Sequence, residues 1–555
     1  MQERNVRTLE RTVIRGGRVL NVFTGELIAA DVVVEGSRIA ELVPPNRAEG
    51  TRTIDASGRV VAPGYVEPHA HLGLLADPVP LLERMAAAGT TAVVADTYPF
   101  MAMLPDEELE RALGSLGAQP VFVRWFAAPH ARSFLPGEER LFSLERVERL
   151  LGRDDVVAIG EITRWPAVER GDPDLLAKIA RAQDAGKRVE GHSAGASPAR
   201  IMRLAARGFT SCHEAIAPEE VLDRLRAGLY AMLRHSSLRP DLPRLVEAVR
   251  GPLAHSNRIM LTADGPSPPW IAAYGYMDHL IRIALESGIP PEAAYRMATL
   301  NPAMYYGIEH EVGSVAPGRR ADLVILRDLA DPSPLLVMAG GVLVAREGRV
   351  IEPFPAVDWT TLSGLRRPPG RPPGPEQLAY SGPGPKIPEL CLAHTVILRL
   401  GNGTGRPVRA ALCDWEGRWM TRTWLSGFAD VAGLASTYTA AGQLAVIGRS
   451  PADMALAARR VAELGGGMVL AESGKVLWEL KLEWGGLFTQ APWDELVAKL
   501  AAFETLLKER GYGHTEPLYS IFFLGFDSLP DFRLTCRGVW DVKRQQVVAP
   551  PVRLV

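Results

Sequence analysis

The sequence predicts an α/β chain: a (β/α)8 TIM barrel with a small flanking β domain and a C-terminal α/β domain. Three observations predict it. From about Val60, short apolar runs alternate with amphipathic stretches, the pattern of parallel strands joined by crossover helices. Eight such runs end near Asp264, within roughly 200 residues, which suits a closed barrel. Strand-and-turn segments stand on either side, at 11–60 and 310–355, each too short to bury a core alone.

The elements follow in order. VIRGGRVLNV, AADVVVEG and SRIAELVP are apolar runs broken by Gly, Asn and charged turns, and read as strands. The barrel strands are VVAPGYVEPHAH, TTAVVADTY, PVFVRWFAA, VVAIGEI, RVEGHS, FTSCHE, LYAMLRHSS and RIMLTADG, with helices such as DLLAKIARAQDAGK and PARIMRLAARG between them. Two more helices, YMDHLIRIALESG and PEAAYRMATLNPAMYYG, precede a return to strand character in GSVAPGRRADLVILRD and GGVLVAREGRVIEP. The expected domains are 1–60 plus 310–365, a discontinuous β domain in which the two halves pair in one sheet, and 61–309, the barrel. Residues 366–386, RRPPGRPPGPEQLAYSGPGPK, read as a linker, because dense Pro and Gly exclude a helix or central strand. Residues 387–555 mix strands and helices as α/β or α+β.

Composition excludes several function classes. The 555 residues imply two or three domains, and a 47% hydrophobic share can fill their cores. The net charge is −2 with no long basic block, which argues against a nucleic-acid surface. No run of about 18 apolar residues suggests a membrane span. The charged start, MQERNVRTLERTVIRGG, lacks the apolar core of a secretory leader, so a cytoplasmic enzyme is expected. Cys212, Cys391, Cys413 and Cys536 are scattered and form no CxxC pair. Self-association into a homo-oligomer stays open.

Nine of the eleven histidines lie at or before His310, so metal or acid–base chemistry is expected in the first part of the chain. His69 and His71 close the first barrel strand, and alternate strand residues share one face. Glu161 ends the fourth strand, His192 the fifth, His213 the sixth and Asp264 the eighth. Each residue alone has a bland structural use: a core imidazole, a solvated acid, a helix cap. Their joint placement at the end where barrel enzymes keep their chemistry argues for one metal site. A divalent ion there lowers the pKa of water from about 15.7 toward roughly 7, so hydroxide attacks an sp² carbon. Asp264 would carry the proton, as general base and then acid. Trp165, Glu214 and Arg239 are candidate contacts to a bound heterocycle, with Arg164 and Ser236 beside them. His235, Asp278 and His279 read as loop, capping or pocket-wall residues, and Cys212 as core.

These residues, in this order, resemble the amidohydrolase superfamily, and within it the adenine deaminase family, closest to its divergent adenine deaminase-like branch. The runs that carry the likeness are PGYVEPHAH, GEITRWPAV, RVEGHSAGAS, SCHEAI, LRHSSLRPD, LTADG, MDHLIRIALESGIPPEAAYRMATLNPA, VGSVAPGRRADLVIL and LGGGMVLAESGKV. The resemblance implies hydrolysis of adenine, a small purine base, to hypoxanthine and ammonia, in purine metabolism. It implies a binuclear centre, with Mn²⁺ or Fe²⁺ ahead of Zn²⁺. In it His69 and His71 match the first-strand ligands, Glu161 a bridging carboxylate, His192 and His213 the second ion's ligands, and Asp264 a ligand and general base. One run departs. Where adenine deaminases carry an AHDSHN-like stretch, this chain has STYTAAGQLAVIG, with Thr439, Ala440 and Gly442 in place of His, Asp and His. TAD also replaces the usual TDD, with Gly265 in place of the second acid. Another amino-purine, or a cyclic amidine or amide, therefore stays open as substrate. A non-catalytic relative would be expected to lose metal ligands, and all six are present.

Overall fold

A computed structural model describes residues 11–401, 403 and 405–554. Residues 1–10, which hold most of the charged start, lie outside the described residues.

Eight parallel strands form the barrel in chain order: Tyr65–Ala70, Thr90–Asp96, Phe122–Ala127, Val156–Ile162, Arg188–Gly191, Ser211–Cys212, Tyr230–Arg234 and Ile259–Thr262. A parallel bridge from Ala70 to Asp264 closes the ring. The outer helices begin where the sequence supplies start signals. Pro173–Asp184, for example, opens on proline, is capped by Asp172 accepting from the Leu175 amide, and buries Leu175, Ile179 and Ala182. The first strand starts later than the apolar run suggests. Val60–Pro63 belongs to another sheet, and Gly64 divides the two. A Cβ at Gly64 would stand 2.0 Å from Thr91 Oγ1, so the chain can make this sheet change only without a side chain.

The flanking β region contains two sheets where one was expected. Arg11–Arg15, Asp31–Glu35, Arg38–Val43 and Arg52–Asp55 pair among themselves. Arg18–Asn21, Glu26–Ala29 and Val60–Pro63 join Leu323–Leu326, Leu336–Ala339, Val342–Arg346 and Arg349–Val350 in a seven-stranded sheet. The switch between sheets falls at Gly16, whose φ of 76° a residue with a side chain rarely adopts. Ile14, Val32 and Ile54 of one sheet share a core with Val19, Leu323 and Met338 of the other.

The proline-rich stretch is not wholly irregular. Pro375–Leu378 forms one turn of helix, because proline is tolerated at a helix's first position, where its missing N–H needs no partner. Leu378 is fully buried, and Arg367 lies over the Trp415 ring at 4.1 Å. Beyond it a mainly antiparallel sheet packs on the helix Pro451–Leu464, so of α/β and α+β the last unit is α+β. Its strands are joined largely without crossover helices, which is what antiparallel pairing permits. This unit reaches back to the barrel: Phe488–Thr489 pairs with Leu75–Ala76 of the loop after the first barrel strand. Among the described residues, no helix is long and apolar enough to cross a membrane.

Candidate metal centre and its cavity

All six expected ligands meet at one end of the barrel. His69 Nε2, His71 Nε2 and Asp264 Oδ1 form one triangle, with sides of 3.2, 3.6 and 3.0 Å. His192 Nδ1 and His213 Nε2 lie 3.2 Å apart, with Glu161 Oε1 3.3 Å from His213 and in contact with His192. Donor atoms of His69, Glu161 and His213 also fall within 4.8 Å of one another, so Glu161 stands between the two groups. Asp264 takes a φ of 61°, uncommon for a residue with a side chain; its amide donates to Thr262 Oγ1 at 3.0 Å, which helps fix the turn.

Sequence reasoning missed the residues that hold this set in place. Glu190 Oε1 lies 2.6 Å from His69 Nδ1 and 3.3 Å from His213 Nδ1, orienting both rings. Glu67 accepts from the His69 amide at 2.9 Å, the Thr262 hydroxyl at 2.6 Å and the Ala263 amide at 2.8 Å, joining the first strand to the last. Burial raises the Glu67 carboxyl to about 8, against those three hydrogen bonds. A signal for both was present: each acid stands two residues before a ligand histidine, inside a barrel strand, where a charge is otherwise unwelcome. Arg132 and Arg234, both buried, gave no such signal. Arg132 Nη2 donates to Asp96 Oδ2 at 2.7 Å and lies 3.4 Å from Glu161 Oε2. Arg234 Nη1 donates to Asp264 Oδ2 at 2.9 Å and also contacts Glu214.

The donor chemistry fits divalent cations. Imidazole nitrogens and carboxylate oxygens, the usual ligands of such ions, converge at separations of about 3.0–3.6 Å that suit a shared cation. Asp96, Glu161, Glu190 and Glu214, all buried, with Asp264 beside them, outnumber the guanidinium groups of Arg132 and Arg234, so arginine alone does not balance the carboxylates. The field favours positive charge strongly: burial opposes it on His71, yet hydrogen bonds to Asp264 and Asp96 lift its pKa to about 10. Burial likewise opposes ionisation of Glu161, but His192 and Arg132 hold its carboxyl well below the usual range.

A cavity of about 120 Å³ opens over these atoms. Glu214, Ser236 and Arg239 line it. Trp165 does not. It begins the helix Trp165–Arg170 and packs into the core, with the Arg200 guanidinium 5.4 Å from its ring. Arg164 is engaged elsewhere, by Asp527 at 2.6 Å and Glu138 at 2.5 Å. His235 packs against Trp270 and His279, Asp278 accepts from the Tyr276 amide at 2.8 Å, and Cys212 is buried beside Ser193.

The far wall comes from the C-terminal unit: Val396, Tyr438, Tyr519, Phe522, Phe526 and Leu529. Its attachment adds polar contacts to a shared hydrophobic core. Tyr519 donates to the Gly265 carbonyl, Ser267 to Glu516 at 2.8 Å, Ser528 to Thr163 at 3.1 Å, and Tyr98 to the Ala440 carbonyl at 2.6 Å. Thr439, in the divergent run, spends its hydroxyl on the Gln443 carbonyl at 2.8 Å.

Comparison with known proteins agrees with this architecture. The Amidohydrolase family matches residues 60–344, and the Adenine deaminase C-terminal domain matches residues 408–546. A Halalkalibacterium halodurans protein is 33% identical over 97% of this chain and 95% of its own. The adenine deaminase of Moorella thermoacetica is 31% identical over 97% of this chain and 95% of its own. That of Deinococcus deserti is 31% identical over 97% and 94%. The chain therefore belongs to the adenine deaminase family of metal-dependent amidohydrolases, hydrolytic enzymes acting on carbon–nitrogen bonds.

Proposed function

We propose that this enzyme converts adenine and water to hypoxanthine and ammonia at the barrel mouth. The observation that carries the reading is the meeting of six ligand side chains from five strands beneath a small-molecule cavity, in a chain whose relatives are named adenine deaminase. His69, His71 and Asp264 would hold one divalent ion, His192 and His213 a second, with Glu161 between them; Mn²⁺ or Fe²⁺ is favoured, and Zn²⁺ is compatible with the donors. Bound there, the ions lower the pKa of water and polarise it toward attack.

The protein's own groups do the rest. The base ring would lie between the floor of ligands and the aromatic wall, both of which line the cavity, with the lining residues Glu214 and Arg239 at its polar edge. Asp264 accepts one proton as the water oxygen bonds to C6, which becomes tetrahedral. The same carboxyl returns that proton to the 6-amino nitrogen, the C6–N bond breaks with its electron pair, and ammonia leaves. The water's other proton ends on the ring nitrogen of hypoxanthine. Arg234, paired with Asp264 and Glu214, keeps the base aimed. In this reading residues 61–309 do the chemistry, the described part of 1–60 with 310–365 braces the barrel, 366–386 connect, and the described part of 387–555 closes the cavity. Purine metabolism in the cytoplasm is the setting that suits a small-base deaminase with unpaired, scattered cysteines.

One observation supports a second reading, another amino-purine or a cyclic amide. The run that departs from AHDSHN offers the cavity the Tyr438 ring, while the Thr439 hydroxyl is occupied. Metal analysis coupled to ammonia release across purines and pyrimidines decides between them. Metal-loaded enzyme that spares adenine but deaminates another base would replace the first reading with the second; release from none would sink both.

A further inference from the structure

We propose that Glu214 is itself a ligand of the second cation, through Oε1, completing a four-donor set with Glu161, His192 and His213. The proposal rests on the metal-dependent reading of the barrel mouth.

Geometry is the first argument. Donors about 2.0–2.2 Å from a shared cation stand roughly 3–3.6 Å from one another, in adjacent octahedral or tetrahedral positions. Glu214 Oε1 is 3.6 Å from His192 Nδ1 and 3.6 Å from His213 Nε2. Those two nitrogens are 3.2 Å apart, and Glu161 Oε1 is 3.3 Å from His213 Nε2. The triangle of His69, His71 and Asp264 has the same sides, from 3.0 to 3.6 Å. By that ruler Glu214 Oε1 has a place beside His192 and His213, while Glu161 Oε1 stands closer to His192 than the ruler allows.

Position is the second argument. Glu214 directly follows His213 at the strand end and is 3% exposed, and its amide faces Cys212 Sγ at 3.4 Å. Its carboxylate is held by Arg234 Nη1. Its other oxygen, Oε2, lies 3.9 Å from Arg239 on the cavity side, so ligation through Oε1 leaves Oε2 free to meet substrate. A shared arginine is the third. One guanidinium nitrogen, Arg234 Nη1, touches both Glu214 Oε1 and Asp264 Oδ2. A carboxylate of each proposed ion would then be steadied by the same arginine.

The competing role is that Glu214 serves only as counterion to Arg234. Metal content and chelator-release rates separate the two without any substrate. Wild-type enzyme should hold two equivalents. Glu214→Gln should release one of them at least ten-fold faster, and the double variant Glu214→Gln/Arg234→Gln should do the same. Wild-type retention in the single variant, or recovery in the double variant, where the charges again balance, would overturn the proposal. If the glutamine variant does not fold, Glu214→Asp keeps the charge but draws the oxygen back by ~1.5 Å; release no faster than wild type would then overturn it. A wild-type protein that binds no divalent metal would instead refute the metal-dependent reading itself.

Discussion

The two walls of the cavity are built on opposite principles. The floor is polar and buried: four histidines, Glu161, Glu190, Glu214 and Asp264 sit on strands or at strand ends, each donor tied to another. The far wall is aromatic and comes from chain more than a hundred residues away, with Phe522 and Phe526 placed by a short helix and the turn after it. A rigid parallel sheet sets directions to within a fraction of an ångström, which metal ligands need. A planar ring asks only for a flat apolar surface, which side-chain packing supplies. On the proposed reading, the difference would assign reactivity to the barrel and share selection between its polar rim and the unit that covers it.

That division can be broken by mutation, most sharply at Asp264. Asp264→Asn should lower turnover by about 10²–10⁴ at matched metal occupancy, with KM little changed, since the amide keeps the volume but cannot take the proton. Ammonia release near the wild-type rate would move the base elsewhere, with Glu214 next. His69→Ala should lose metal before anything else, as elemental analysis would register; a full complement of metal in that variant would remove His69 from the ligand set. Glu190→Gln tests the support beneath the ligands. Metal affinity should drop about 10–100-fold, read by chelator competition, and an unchanged affinity would leave Glu190 a bystander. At the opposite wall, Phe526, whose ring centre lies 6.3 Å from that of His192, should act on KM. Phe526→Ala is expected to raise KM about ten-fold, with kcat within a few-fold, as for loss of one base-stacking ring; a fall in kcat alone would make the wall part of the chemistry. The smallest effect on kinetics belongs to Trp165→Leu. It should cost roughly 1–3 kcal/mol of stability in denaturant melts and leave KM alone. A raised KM there would put Trp165 back among the substrate contacts.

The barrel was legible because its code is local. Each strand is a short apolar run, and each expected ligand falls at or just beyond a run's end, as His192 does after RVEG and His213 after SC. Glu67 and Glu190 were legible in principle by the same alternation, but a lone acid within an apolar run reads as noise until its partner is seen. Arg132 and Arg234 were not, because nothing near them in sequence says that a carboxylate waits across the barrel. The aromatic wall was hidden for a deeper reason: PLYSIFFLGF looks like any buried segment, and only packing reveals that one side of it is left for a ligand. Trp165 misled for the converse reason. It follows a ligand strand closely, yet the loop turns it into the core.

The order of the chain gives the covering segment a temporal meaning. Every proposed ligand lies at or before Asp264, whereas Glu516–Leu529, which fastens onto Gly265, Thr163 and Arg164, comes some 250 residues later. On the ribosome, which delivers about 5–20 residues per second, the barrel is exposed for many seconds before its cover exists. Cations can enter an open mouth during that interval. In the finished protein the same mouth is lined on one side by phenylalanine and tyrosine, so metal supplied during synthesis and metal supplied afterwards meet different surroundings.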